Sequence, residues 1–183
     1  MKRIPVATAL LVLAILLAYR LEIAAGGHAV CAAWGFRPAH PTVATALAAM
    51  WLHDPDSLAH VVGNVAALAV FGALVEREVG AYRLAFVYLL AGLGGALMHV
   101  VVDPTAATPM VGASGAIFGL MPLAVAARPR LVGFVAAYAG YNVACLLMGA
   151  EGGVALGAHV GGFAVGTLFT LVARTRGGCL AVA

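Results

Sequence analysis

Residues 112–127 read Gly112-Ala113-Ser114-Gly115-Ala116-Ile117-Phe118-Gly119-Leu120-Met121-Pro122-Leu123-Ala124-Val125-Ala126-Ala127. The apolar run, about 113–127, is shorter than the roughly 17–25 residues a helix needs to cross a bilayer. A helix this short is expected to begin below the membrane surface. Its first N–H groups have no partners within the helix, and lipid offers none. Protein or a water-filled cavity is therefore expected around Ser114.

The rest of the chain fits that reading. Charged residues are 9% of the 183 positions, against about a quarter in a soluble domain, which is too few to hydrate a surface. Lipid must therefore be the solvent for most of it. Apolar runs separated by polar or Gly/Pro breaks predict six spans, about 4–21, 57–76, 82–102, 113–127, 131–149 and 157–173. The expected fold class is all-α: a polytopic membrane protein, a six-helix bundle forming one domain over 1–183. Met1-Lys2-Arg3 and the apolar 4–18 could pass for a signal peptide. No clean small-x-small cleavage site follows, so an uncleaved first helix is expected. The net charge of +3 comes from scattered basic residues, which argues against nucleic acid and for topology signals. Cys31, Cys145 and Cys179 have no paired spacing and read as packing or unpaired thiols.

Counted on six spans with a cytoplasmic N-terminus, Lys2, Arg3, Arg77, Arg83, Arg128, Arg130, Arg174 and Arg176 lie inside, and only Arg20 and Arg37 outside. Eight against two is a strong positive-inside bias, so both termini are expected in the cytoplasm. The acids Glu22, Asp54, Asp56, Asp103 and Glu151 fall outside. The long loop at about 22–56 carries Trp34, Phe36, Pro38, Pro41, Met50 and Trp51. It reads equally as a partly embedded element or as an interfacial loop with aromatic anchors. Asp54-Pro55 reads as a helix start, with a capping carboxylate and Pro at the first helical position.

Polar side chains are costly in hydrocarbon, so each one inside a span is a functional candidate. His60 and Asn64 in the second span, Ser114 opening the fourth and His159 in the sixth stand out. A lone membrane serine is ordinarily a packing residue; the combination carries the argument. Ser114 sits in Gly112-Ala113-Ser114-Gly115, with Gly119 beyond. His159 sits in Gly157-Ala158-His159-Val160-Gly161-Gly162, with Gly166 beyond. Such small-residue faces let backbones approach, as a short serine needs in order to reach an imidazole on another helix. His60 and Asn64, four apart, share a helix face. A nucleophile, a base and two donors make a constellation for acyl transfer. No Asp or Glu lies near His159 in its span, so a dyad is expected in place of a Ser-His-Asp triad. Phe118, four after Ser114, is placed to pack on the His159 ring. Glu76, in Gly72-x-x-x-Glu76-x-x-x-Gly80, reads as structural, bonded to a neighbouring helix end near the cytoplasm.

These motifs together resemble the rhomboid intramembrane proteases over about 57–173. The resemblance rests on His60-x-x-x-Asn64, Gly72-x-x-x-Glu76-x-x-x-Gly80, Gly112-Ala113-Ser114-Gly115, and Gly157-Ala158-His159 with Gly162 and Gly166. It implies a Ser114/His159 dyad and an oxyanion site using His60 and Asn64. It also implies cleavage of the transmembrane segments of single-span proteins within the lipid bilayer, with no cofactor or metal. A branch that handles carboxyl-terminal sorting signals is similar in size, but the Gly115-Ala116-Ile117-Phe118-Gly119 stretch looks more like the general bacterial type, and a bacterial inner (plasma) membrane is the expected location. The first loop departs in lacking a Trp-Arg pair, and Phe118 stands where some relatives have Tyr. Two rivals remain. A catalytically inactive rhomboid-like client-binding protein would typically lack the serine or the histidine. A small transporter should show paired intramembrane charges or two matching broken helices.

Overall fold

The computed structural model describes residues 4–148 and 155–175, and these are helical apart from connecting turns and one isolated extended pair, Phe36 with Met110. In chain order the helices are α1 (Val6–Ala24), α2 (Gly27–Trp34), α3 (Val43–Ala49), α4 (Leu58–Ala67), α5 (Ala73–Val79), α6 (Ala81–Val102), α7 (Ser114–Ala127), α8 (Val132–Leu147) and α9 (Leu156–Thr175). A π turn over Leu68–Gly72 joins α4 to α5, so Leu58–Val79 is one continuous span. Val6–Ala24, Leu58–Val79, Ala81–Val102, Pro129–Leu147 and Leu156–Thr175 are each long and apolar enough to cross a membrane. The sixth apolar helix, α7, has 14 residues. That is about 21 Å at 1.5 Å per residue, short of the roughly 30 Å hydrocarbon core.

The short helix sits at the centre. Gly115 through Met121, Leu123, Ala124, Ala126 and Ala127 are all buried, as suits a helix that is apolar on every side. Longer helices surround it and turn Leu10, Leu13, Leu17, Phe86, Leu97 and Phe134 outward. Large apolar side chains facing outward on every long helix mark a surface matched to lipid. The closest packing is between α7 and α9. A methyl added to Gly162 would run into the Gly115 carbonyl, and one on Gly166 into the Gly119 carbonyl. Helices in lipid associate through such packing, because burying leucine from lipid gains little.

Glu76 ties α1 to this core. Its carboxylate accepts the backbone N–H groups of Ala7 (2.9 Å) and Thr8 (2.7 Å) and the Thr8 hydroxyl (2.7 Å). The first-turn amides of α1 need such an acceptor, and the positive end of the helix dipole favours a negative one.

Several expectations need correction. Asp54-Pro55 does not start the second span. Ser57 is its N-cap, with the Ser57 hydroxyl accepting from the His60 N–H at 3.3 Å. Asp54 instead takes the Asp56 N–H at 3.0 Å, a local side-chain turn that competes with helix. The span also runs on to Val79 and ends where Gly80 adopts φ +86°. Glu22 is not a loop acid but a buried residue of α1. It accepts from the Cys31 thiol at 2.8 Å and from the His53 N–H at 3.0 Å.

The 22–56 region is a folded element. Phe36 exchanges backbone hydrogen bonds with Met110 (3.0 and 2.8 Å), and Gly112 N–H bonds Ala49 C=O at 2.8 Å. Of the large residues in this loop, Phe36 and Met50 are core residues, whereas Trp34 is exposed. Cys31 and Cys145 are free and buried. Cys179 lies outside the described residues, as do Lys2, Arg3, Glu151 and Arg176.

Candidate active site

The orphan N–H groups at the start of α7 face a cavity of about 540 Å³, the size of an ordinary small-molecule site. Ser114, His159, His60, Asn64, Gly112, Gly115 and Phe118 all line it. A second cavity of about 710 Å³ shares Asp54, His60, Met110, Val111 and Ala155 with the first, so the two adjoin beside His60. Glu76 belongs to neither cavity and serves α1, as described.

Ser114 and His159 meet because their helices touch backbone to backbone. A methyl on Gly115 would sit 3.2 Å from the Ala158 carbonyl. At that separation the serine hydroxyl reaches His159 Nε2 at 2.7 Å. A hydroxyl hydrogen-bonded to an imidazole nitrogen is the pairing that turns serine into a nucleophile. His159 is 6% exposed. Phe118 stacks on its ring with centroids 4.2 Å apart and planes inclined by 7°. Tyr138 continues the stack at 5.1 Å from Phe118.

His60 approaches from α4. Its Nδ1 accepts the Asp54 N–H at 3.3 Å, so in the neutral ring the hydrogen is on Nε2. A Cβ built on Gly112 would lie 2.8 Å from His60 Nε2 and 3.8 Å from Ser114 Oγ. That nitrogen is therefore a donor beside the serine. Gly112 has φ +124°, a conformation that L side chains rarely adopt, and a side chain there would also collide with His60. Asn64, one turn further along α4, gives one Nδ2 hydrogen to the His60 carbonyl at 2.9 Å. An amide nitrogen carries two hydrogens, so a second remains for the cavity.

Two features escaped the sequence reading. Asn142 of α8, buried, brings Oδ1 within 2.6 Å of His159 Nδ1. In the sequence it stands out only as an uncharged polar residue inside the apolar fifth span. The other is the knot of Glu22, Cys31 and His53 behind His60, whose ring meets that of His53 edge-on at 5.2 Å. Burial, and then the Glu22 hydrogen bond, push the Cys31 thiol up to about 12. Burial, and then the nearby His60, lower His53 to about 4. Cys31 is thus held as a neutral thiol, unsuited to nucleophilic attack.

Comparison with known proteins accords with this architecture. The Rhomboid domain family model matches residues 40–176. The chain is 32% identical over 144 residues to RHOMBOID-like protein 4 of Arabidopsis thaliana, covering 71% of this chain and 34% of that protein. It is 31% identical over 146 residues to RHOMBOID-like protein 7 of the same plant, covering 74% and 44%. A shorter stretch of 64 residues is 42% identical to Rhomboid protease GluP of Bacillus subtilis (strain 168), covering 35% of this chain and 12% of that one. The chain thus spans less than half the length of these relatives. It is an integral, multi-pass membrane protein, and it belongs to the rhomboid family.

Proposed function

We propose that the protein is an intramembrane serine endopeptidase that cleaves single-span membrane proteins with Ser114 as nucleophile and His159 as general base and acid. The observation that carries this reading is the 2.7 Å contact between Ser114 Oγ and His159 Nε2, at a cavity that His60 and Asn64 also line. The Bacillus relative, named a rhomboid protease, supports it.

In the first step Nε2 takes the Ser114 proton as Oγ attacks a substrate carbonyl. The oxyanion that forms is met by the N–H groups at the start of α7, by His60 Nε2–H and by the second Asn64 Nδ2 hydrogen. The imidazolium then protonates the leaving amine, and the peptide bond breaks to leave an acyl-Ser114 ester. Water, deprotonated by His159, attacks the ester. Collapse of the second oxyanion returns the proton to Ser114 and releases the new carboxyl end.

A substrate helix hides its carbonyls in i→i−4 bonds, so it must unwind before attack. Spans containing Gly or Pro near the cut are therefore preferred. The eight-to-two distribution of basic residues supports both termini lying on the cytoplasmic side of the membrane. Reporter fusions check that orientation, and a C-terminus on the opposite side contradicts it. The activity is tested by incubating purified protein in liposomes with a Gly-containing single-span substrate. Cleavage by the wild type and none by Ser114→Ala is expected. Equal turnover by both removes Ser114 from the chemistry, and uncut substrate with folded wild type favours a client-binding protein.

A further inference from the structure

Asn142 approaches His159 from α8, a helix that carries neither nucleophile nor oxyanion donor. Its side chain is 4% exposed, and Nδ2 donates to the Tyr138 carbonyl at 2.8 Å, one turn back on the same helix. This contact decides which way the amide points. Exchanging its oxygen and nitrogen would set Oδ1 against the Tyr138 carbonyl, two acceptors with no hydrogen between them. The atom 2.6 Å from His159 Nδ1 is therefore Oδ1, which can only accept. A neutral imidazole carries one hydrogen, and this partner draws it to Nδ1. Nε2 is left with a lone pair, and it points at the Ser114 hydroxyl at 2.7 Å. The opposite tautomer would put an N–H against that hydroxyl and leave Nδ1 and Oδ1, two acceptors, facing each other.

We propose that Asn142 is a positioning residue that holds His159 in the Nδ1–H tautomer and fixes its ring in the plane set by Phe118, making a hydrogen-bonded Ser114–His159–Asn142 chain from three helices. The proposal rests on the hydrolytic reading and adds a third member to its dyad. The two contacts on the imidazole are complementary. The Phe118 face, 4.2 Å away, stops the ring from tilting, while the Asn142 oxygen stops it from turning within its plane. When Ser114 gives up its proton the imidazolium carries a hydrogen on both nitrogens. The one on Nδ1 stays there, bonded to Oδ1, and no proton passes to the amide. Asn142 needs no charge for this, which explains how the site works without an acid near His159.

The test combines turnover with nitrogen-15 NMR of histidine-labelled protein in detergent, His159→Ala identifying the His159 signals. The wild type is expected to show the Nδ1–H tautomer at neutral pH. In Asn142→Leu, Nε2–H signals should appear, and kcat should fall about 10²-fold, the low end of what a positioned general base contributes, with KM unchanged. Asn142→Asp, whose carboxylate can accept the same N–H, should keep the Nδ1–H tautomer although it gives up the donor to the Tyr138 carbonyl. A purely structural role would move melting temperature without moving tautomer or kcat. An Nε2–H tautomer in the wild type overturns the proposal whether or not any variant folds. So does Asn142→Leu turning over at the wild-type rate. A folded wild type that cleaves nothing defeats the hydrolytic reading instead, while the tautomer measurement still decides the role of Asn142.

Discussion

Two buried polar clusters in this molecule are built from similar groups and differ in what they leave open. At Glu76 both carboxylate oxygens are engaged, by two backbone N–H groups and a hydroxyl, and neither of the two cavities described above includes it. At Ser114 and His159 each contact is also short, but the cluster faces about 540 Å³ of space, and the α7 amides, His60 and Asn64 direct donors into it. A closed, fully paired cluster holds helices together; one with donors aimed at empty space is suited to a charge that appears only during reaction. The contrast also explains the packing. The Glu76 knot joins α1 to the bundle at one point, whereas the site lies where α7 and α9 pack through Gly115 and Gly162 without intervening side chains.

Substitutions should separate the two clusters. The largest effect is expected at the dyad. Ser114→Ala and His159→Ala should each abolish cleavage, and the double variant should be no worse than either, since the residues act as a unit. Additive losses measured on purified variants would break the pairing. Next come the oxyanion donors. His60→Ala and Asn64→Ala should lower kcat by roughly 10²–10³ with little change in KM, because they meet a charge present only in the transition state. Full specific activity with a depressed melting temperature would move both residues to the structural class. Glu76→Ala should show the reverse pattern, since it leaves the α1 amides unpaired. A loss of about 1–3 kcal/mol in stability is expected, with the rate per folded molecule unchanged. A fall in kcat at constant stability would erase the contrast between the clusters.

A smaller effect is expected from His53, which lies between the first loop and the site. Its ring is buried neutral and its pKa is lowered to about 4 from an ordinary 6.5. The unfolded chain takes up a proton below about 6.5 that the folded chain refuses until about 4. His53 therefore carries no penalty above that window, and stability falls as the pH drops through it. Melting temperature measured from pH 7 to pH 4 should decline more steeply in the wild type than in His53→Gln. Parallel slopes would show that other groups set the acid response.

How legible was this in the sequence? The spans and the meeting of Ser114, His159, His60, Asn64 and Phe118 at one cavity follow from local cues, namely apolar length, glycine spacing and a few polar residues at depth. The fold class was legible for the same reason, since lipid imposes helices. What escaped depends on pairings with no local signature. Asn142 is one polar residue in an apolar run, and only its placement opposite His159 distinguishes it from an amide bonded to its own helix. Glu22, Cys31 and His53 are far apart in the chain, and each alone looks like loop composition. At Asp54-Pro55 two good capping signals lay three residues apart, and the one with space to bond the His60 N–H, Ser57, prevailed.

The central claim is that His159 makes Ser114 a nucleophile. A serine-directed fluorophosphonate tests it without any choice of substrate. Detergent-solubilised wild type should form one covalent adduct, located at Ser114 by peptide mass spectrometry. His159→Ala of equal melting temperature should form it far more slowly or not at all. An unmodified Ser114 in folded wild type, or labelling at the same rate without His159, would contradict the account.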